Sequence, residues 1–128
     1  MSSSLGMITL VVRAYDEAIA YYTGVLGFSL IEDTQLSETK RWVVVAPSAT
    51  DGARLLLAQA QGAAQEAAIG QQAGGRVLLF LYTDAFDETY ARYLGAGVRF
   101  VETPRSEAWG KVVVFEDIYG NRWDLLER

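Results

Sequence analysis

Tyr15–Glu32 reads "YDEAIAYYTGVLGFSLIE", and Phe86–Glu102 reads "FDETYARYLGAGVRFVE". With one residue skipped the two stretches are copies. Asp16 matches Asp87, Glu17 matches Glu88 and Ala20 matches Ala91. Tyr22 then matches Tyr93, Gly27 matches Gly97 and Glu32 matches Glu102. Each copy carries helix signals. The aspartates suit an N-cap or a first turn, and the glutamates beside them favour the positive end of the helix dipole. Ala18, Tyr22, Val25 and Leu26 recur on one helical face. Gly27 and Gly97 stand where such a helix should stop.

Outward from the copies, the flanking segments also correspond. An apolar run precedes each helix: "MITLVVR" in the first copy and "RVLLFLYT" in the second. Strand-like stretches follow: "FSLIEDT", "RWVVVAP" and "ARLLLAQ", then "VRFVET", "KVVVFED" and "NRWDLLE". The unit is therefore strand, helix and three strands, present twice. One domain spans 1–128, with the first repeat at about 5–60, a linker at about 61–74 and the second repeat at about 75–128. The linker is rich in Ala, Gln and Gly, with room for one short helix.

Alternation sorts the strand faces. Ile8, Leu10 and Val12 are aliphatic, as are Val77, Leu79 and Leu81, so these should lie under the helices. Met7, Thr9 and Val11, and likewise Arg76, Leu78, Phe80 and Tyr82, should line something else. Arg122 and Asp124 share one side of the last strand. Phe115 facing the helix turns Glu116 to the same open side. Trp42 and Val44 are expected in the core, with Trp42 also able to border a pocket. Tyr21 and Tyr22 read as helix-core aromatics.

The bulk composition narrows the chemistry. The chain has 128 residues, 51% of them hydrophobic, and a formal charge of −5. The negative charge argues against nucleic acid and anionic membrane as partners, since both demand Lys and Arg to neutralise phosphate. There is no Cys and no His. Thiol chemistry, Cys-based zinc sites and the commonest general base near neutral pH are all excluded. No apolar run is long enough to span a bilayer, and "MSSSLG" is unlike a signal peptide. The expected location is cytoplasmic.

Two motifs identify a relative. "VVRAYDEAIAYYTGVLGF" resembles the strand and D-x-x-A-x-x-F-Y-x-x-x-L-G-F pattern of the vicinal oxygen chelate (VOC) superfamily, the glyoxalase, bleomycin resistance and dioxygenase group. "FEDIYGNRWDLLE" is similar to its F-x-D-P-x-G-N-x-x-E-L pattern, with Ile118 where Pro is usual; Ala14 replaces a usual Asp. The resemblance implies an α+β fold. Two βαβββ modules would form a half-open, cup-shaped mixed sheet with helices on the convex face. It also implies a metal held at four positions, which here are Met7, Leu56, Leu78 and Asp124. Only Asp124 is a usual ligand type, so the resemblance implies a degenerate metal site and no metal cofactor.

Two functions follow as expectations. The first is a protein that binds a small aromatic or cationic molecule in the cup without a metal, as a homodimer. Its contacts would come from Thr9, Leu56, Arg76, Leu78, Phe80, Tyr82, Trp109 and Arg122. Trp109, in a loop before a strand, suits a gate or a partner contact. The second is a superfamily enzyme, a lyase, isomerase or dioxygenase, with Asp124 or Glu116 as the acid–base group. Asp124 stays open between ion-pairing, with Arg76 for instance, and facing a ligand. Left unpaired and buried, its pKa should rise.

Overall fold

The two copies build two compact units, Met1–Ile69 and Gly70–Arg128. The computed structural model describes every residue from Met1 to Arg128. In the first unit, β1 (Met7–Val12) leads to α1 (Tyr15–Ile19), β2 (Ser29–Gln35), β3 (Arg41–Ala46), β4 (Arg54–Gln59) and α2 (Ala63–Ala68). The sheet order is β1-β4-β3-β2, with β1 parallel to β4 and the other pairs antiparallel. The second unit runs β5 (Val77–Thr83), α3 (Phe86–Gly95), β6 (Arg99–Phe100), β7 (Arg105–Glu107), β8 (Gly110–Glu116) and β9 (Arg122–Glu127). Its order is β5-β9-β8, with β6 and β7 both paired to β8 and β5 parallel to β9.

The helix starts differ from the expected caps. Ala14 and Ala85 hold the N-cap positions without a side-chain cap, and Asp16 and Asp87 stand in the first turns. There they still meet the positive end of the dipole. α1 runs directly into a π-helical turn at Ala20–Val25. Leu26 N–H donates to the Tyr21 carbonyl five residues back at 3.1 Å, and Phe28 N–H to the Tyr22 carbonyl at 2.9 Å. Both tyrosines are buried, as expected of core aromatics. Gly27 (φ 75°) and Gly97 (φ 84°) end the helices in the left-handed region that favours glycine.

The helix-side cores follow the repeat. Leu10, Val12, Ala18, Tyr22 and Leu26 are buried in the first unit, and Leu81, Tyr93, Phe115, Trp123 and Leu125 in the second. In the second, Phe115 stacks on Trp123 at 5.8 Å and meets Tyr93 edge-on at 5.7 Å. Such pairs add about 0.5–1.5 kcal/mol beyond the area they bury. In β3 the expected faces are exchanged. Arg41, Val43 and Val45 face α1, because Arg41 reaches Asp16 and lies over the Tyr15 ring. Trp42 and Val44 take the other side with Leu56, the register partner of Val44, where Val44 is buried as expected and Trp42 is half-buried.

One strand is also shortened. The expected strand "VRFVET" keeps only Arg99–Phe100 as β6, and Arg105–Glu107, in the stretch expected to be a loop, forms β7. Pro104 has no N–H to give. Across the gap, the Glu102 carboxylate accepts the Val114 N–H at 3.0 Å, a bond that the missing strand segment would otherwise make.

Candidate functional site

On the open face of the second unit, strand register lays side chains in rows. Phe80 in β5 is beside Asp124 in β9, which is beside Val114 in β8. The next row is Tyr82, Leu126 and Val112. Phe80 is 57% exposed and Tyr82 56%, so two large rings stand uncovered beside a partly buried carboxylate.

The Asp124 carboxylate forms no ion pair and no hydrogen bond. The pairing with Arg76 does not form, and the reason is geometric. Arg76 precedes β5 and is exposed, and a register irregularity between Val77 and Leu79 breaks the alternation that would have aligned it with Phe80. Leu78 is the extra residue at that bulge and has no partner in β9. Burial pushes the Asp124 pKa up; nearby Arg105 opposes this and Glu102 adds to it. The Arg105 guanidinium itself pairs with Glu102 at 3.0 Å and Glu107 at 2.8 Å.

Glu116 is held differently. It faces Arg122 in register, at 3.5 Å, and Arg99 at 3.6 Å. The two carboxylates expected to do chemistry thus sit in opposite electrostatic settings. Trp109 is 59% exposed at the tip of the tight turn joining β7 and β8. In the first unit Thr9 lies beside Leu56, and Met7 beside Arg54.

The positions that hold a metal in the resembling family do not suit one here. Met7 offers a thioether, Leu56 and Leu78 offer no donor, and no three His, Cys, Asp or Glu side chains come together. Hard and borderline ions need oxygen and imidazole donors, so no step is derived through a metal. Both turns feeding these positions are alike: Gly52 (φ 79°) and Gly120 (φ 88°) each precede a last strand whose third residue is Leu56 or Asp124.

The first unit holds a cleft of about 250 Å³. Trp42, Leu56 and Ala58 contribute to its wall, with Lys40, Gln61 and Gln65. Of these only Leu56 was an expected contact, and Trp42 an expected pocket border. The glutamines fall in the stretch that composition marks as linker. Their place beside the sheet depends on α2, which no periodic apolar pattern announces. Gln65 Oε1 accepts the Gln61 N–H at 2.9 Å and so ties α2 to the end of β4.

Residues 4–125 match the family model of the glyoxalase/bleomycin resistance protein/dioxygenase superfamily. The chain belongs to that superfamily. Within it, an uncharacterized protein of Shewanella frigidimarina (strain NCIMB 400) is 52% identical over 128 residues, 99% of this chain and 95% of its own length. The solved structure of UcmS2 superposes with a TM-score of 0.85 at 29% identity, covering 98% of each chain. TnmS3, an antibiotic binding protein from Streptomyces sp. CB03234, superposes with a TM-score of 0.77 at 27% identity. That match covers 98% of this chain and 96% of TnmS3. The expected fold, two βαβββ modules with helices on one face of each sheet, is that of the superfamily.

Proposed function

We propose that this superfamily member binds a small cationic aromatic molecule without a metal. The observation that carries the reading is the row of exposed Phe80, unpaired Asp124 and, one step along, exposed Tyr82. Uncovered rings gain from stacking on a flat ligand and from a cation over their faces. A desolvated carboxylate with no cation of its own gains most from a cation that the ligand brings. The antibiotic-binding role of TnmS3 supports the same class of activity. Homodimer formation belongs to this reading.

The enzyme reading gains less support, because Glu116 is occupied by Arg99 and Arg122. Titration with 2-naphthylmethylammonium, followed by NMR, tests the proposal. Saturable shifts at Phe80, Tyr82 and Asp124 are expected, together with thermal stabilisation; a hundredfold excess over Kd adds roughly 2.7 kcal/mol. Binding by the neutral 2-methylnaphthalene that is as tight as binding by the cation would overturn the role of Asp124. Sedimentation velocity at micromolar concentration should show twice the monomer mass, and a monomer would overturn the dimer.

A further inference from the structure

We infer that the cleft of the first unit binds a planar aromatic carboxylate. The chain as a whole is acidic, yet no carboxylate lines this cleft. Its charged residues are Lys40 and Arg41. Arg41 is already neutralised: its guanidinium donates to both Asp33 oxygens at 3.1 and 2.7 Å and to Asp16 at 2.8 Å. Lys40 has no ion pair, which leaves one uncompensated positive charge at the cleft. The carboxylate on the same sheet side, Glu32, lies one strand away and accepts the Thr34 hydroxyl at 2.9 Å.

The remaining surface suits the rest of such a ligand. Trp42 and Leu56 offer a flat apolar wall, and the Trp42 indole N–H has no partner. Gln65 spends its carbonyl oxygen on the Gln61 N–H, so its NH2 is left to donate. A ring against Trp42 would bring its carboxylate toward an ammonium and amide donors. Charge-assisted hydrogen bonds of this type are roughly twice as strong as neutral ones. The cleft differs in charge from the Asp124 row.

The test is a 15N-detected titration of the full chain with 2-naphthoate, reading the Trp42 indole and the Gln59, Gln61 and Gln65 side-chain amides. Saturable shifts at these groups are expected. Lys40→Gln, at an exposed position that leaves the fold alone, should weaken binding about ten-fold. Trp42→Phe should weaken it less, because a ring remains. Shifts confined to Phe80, Tyr82 and Asp124 would overturn the inference. So would unchanged affinity in Lys40→Gln, or 2-naphthylmethylammonium moving the Trp42 indole at the same concentration.

Discussion

The two units share their buried positions and differ in how they treat charge. In the first, Arg41 gathers Asp33 and Asp16 beside α1 and serves as the cation for both. In the second, Asp124 stands on the open face with none, while Arg105, Arg122 and Arg99 serve other acids. Duplication preserved what the helix-side core needs, as with Tyr22 and Tyr93. The open faces diverged, because packing under a helix constrains both copies and an open face constrains neither.

The largest effect that would break this comparison lies in the last turn of the second unit. Asp117 is buried and accepts N–H donors from Tyr119 at 2.9 Å, Asn121 at 3.0 Å and the Asn121 amide at 3.0 Å. Asp117→Ala should cost about 3 kcal/mol, since each donor left unsatisfied costs roughly 1–3 kcal/mol. The corresponding turn of the first unit has only exposed Ser48–Thr50 bonds, so Ser48→Ala should cost less than about 0.5 kcal/mol. Urea unfolding of both variants measures the contrast.

A somewhat smaller loss is expected at Gly70. Its φ of 72° disfavours any side chain, and an added Cβ would collide with the Tyr119 carbonyl oxygen. Gly70→Ala should destabilise by about 2 kcal/mol. Gly52, with a positive φ and open space around it, should lose about 1 kcal/mol by the same change. Paired melting curves separate collision from backbone strain.

Binding effects come next. Asp124→Asn should weaken 2-naphthylmethylammonium about five-fold and leave 2-methylnaphthalene unaffected, while Phe80→Ala should weaken both. Calorimetric titration of the two probes reads the difference.

The smallest effect sharpens the comparison through pH. The Arg41 hydrogen bond holds the Asp33 carboxyl below its ordinary value. The unfolded chain then binds the extra proton first, so Asp33 contributes stability above its unfolded pKa and loses it as pH falls toward the folded one. Asp124 has the opposite sign, because burial raises its pKa. Its contribution falls as pH rises from the ordinary carboxylate value through the raised one. Asp33→Asn should therefore flatten the acid limb of the stability profile. Asp124→Asn should raise stability at neutral pH and remove the decline above the ordinary carboxylate range. Urea midpoints from pH 3 to 8 test both signs.

The sequence by itself determined the repeat, the helix stops at Gly27 and Gly97, the aliphatic side of β1, and Leu79 and Leu81 in β5; Val77, expected with them, pairs instead with exposed Arg122. Those features are periodic or local, and burial under a helix enforces them. The superfamily motifs likewise singled out Asp124, Met7, Leu56 and Leu78 as candidate positions. Only the tertiary structure decided what surrounds them. Alternation assumes an unbroken ladder, and the bulge at Leu78 breaks it, which removes Arg76 from the row of Asp124. Pro104 stands between β6 and β7, where the Glu102 carboxylate accepts the Val114 N–H and pairs with Arg105. The cleft beside Trp42 includes Gln65 because α2 carries it back to Gln61, just past the end of β4. Which charges meet is settled by contacts between residues distant in the chain, and no period along the sequence records those.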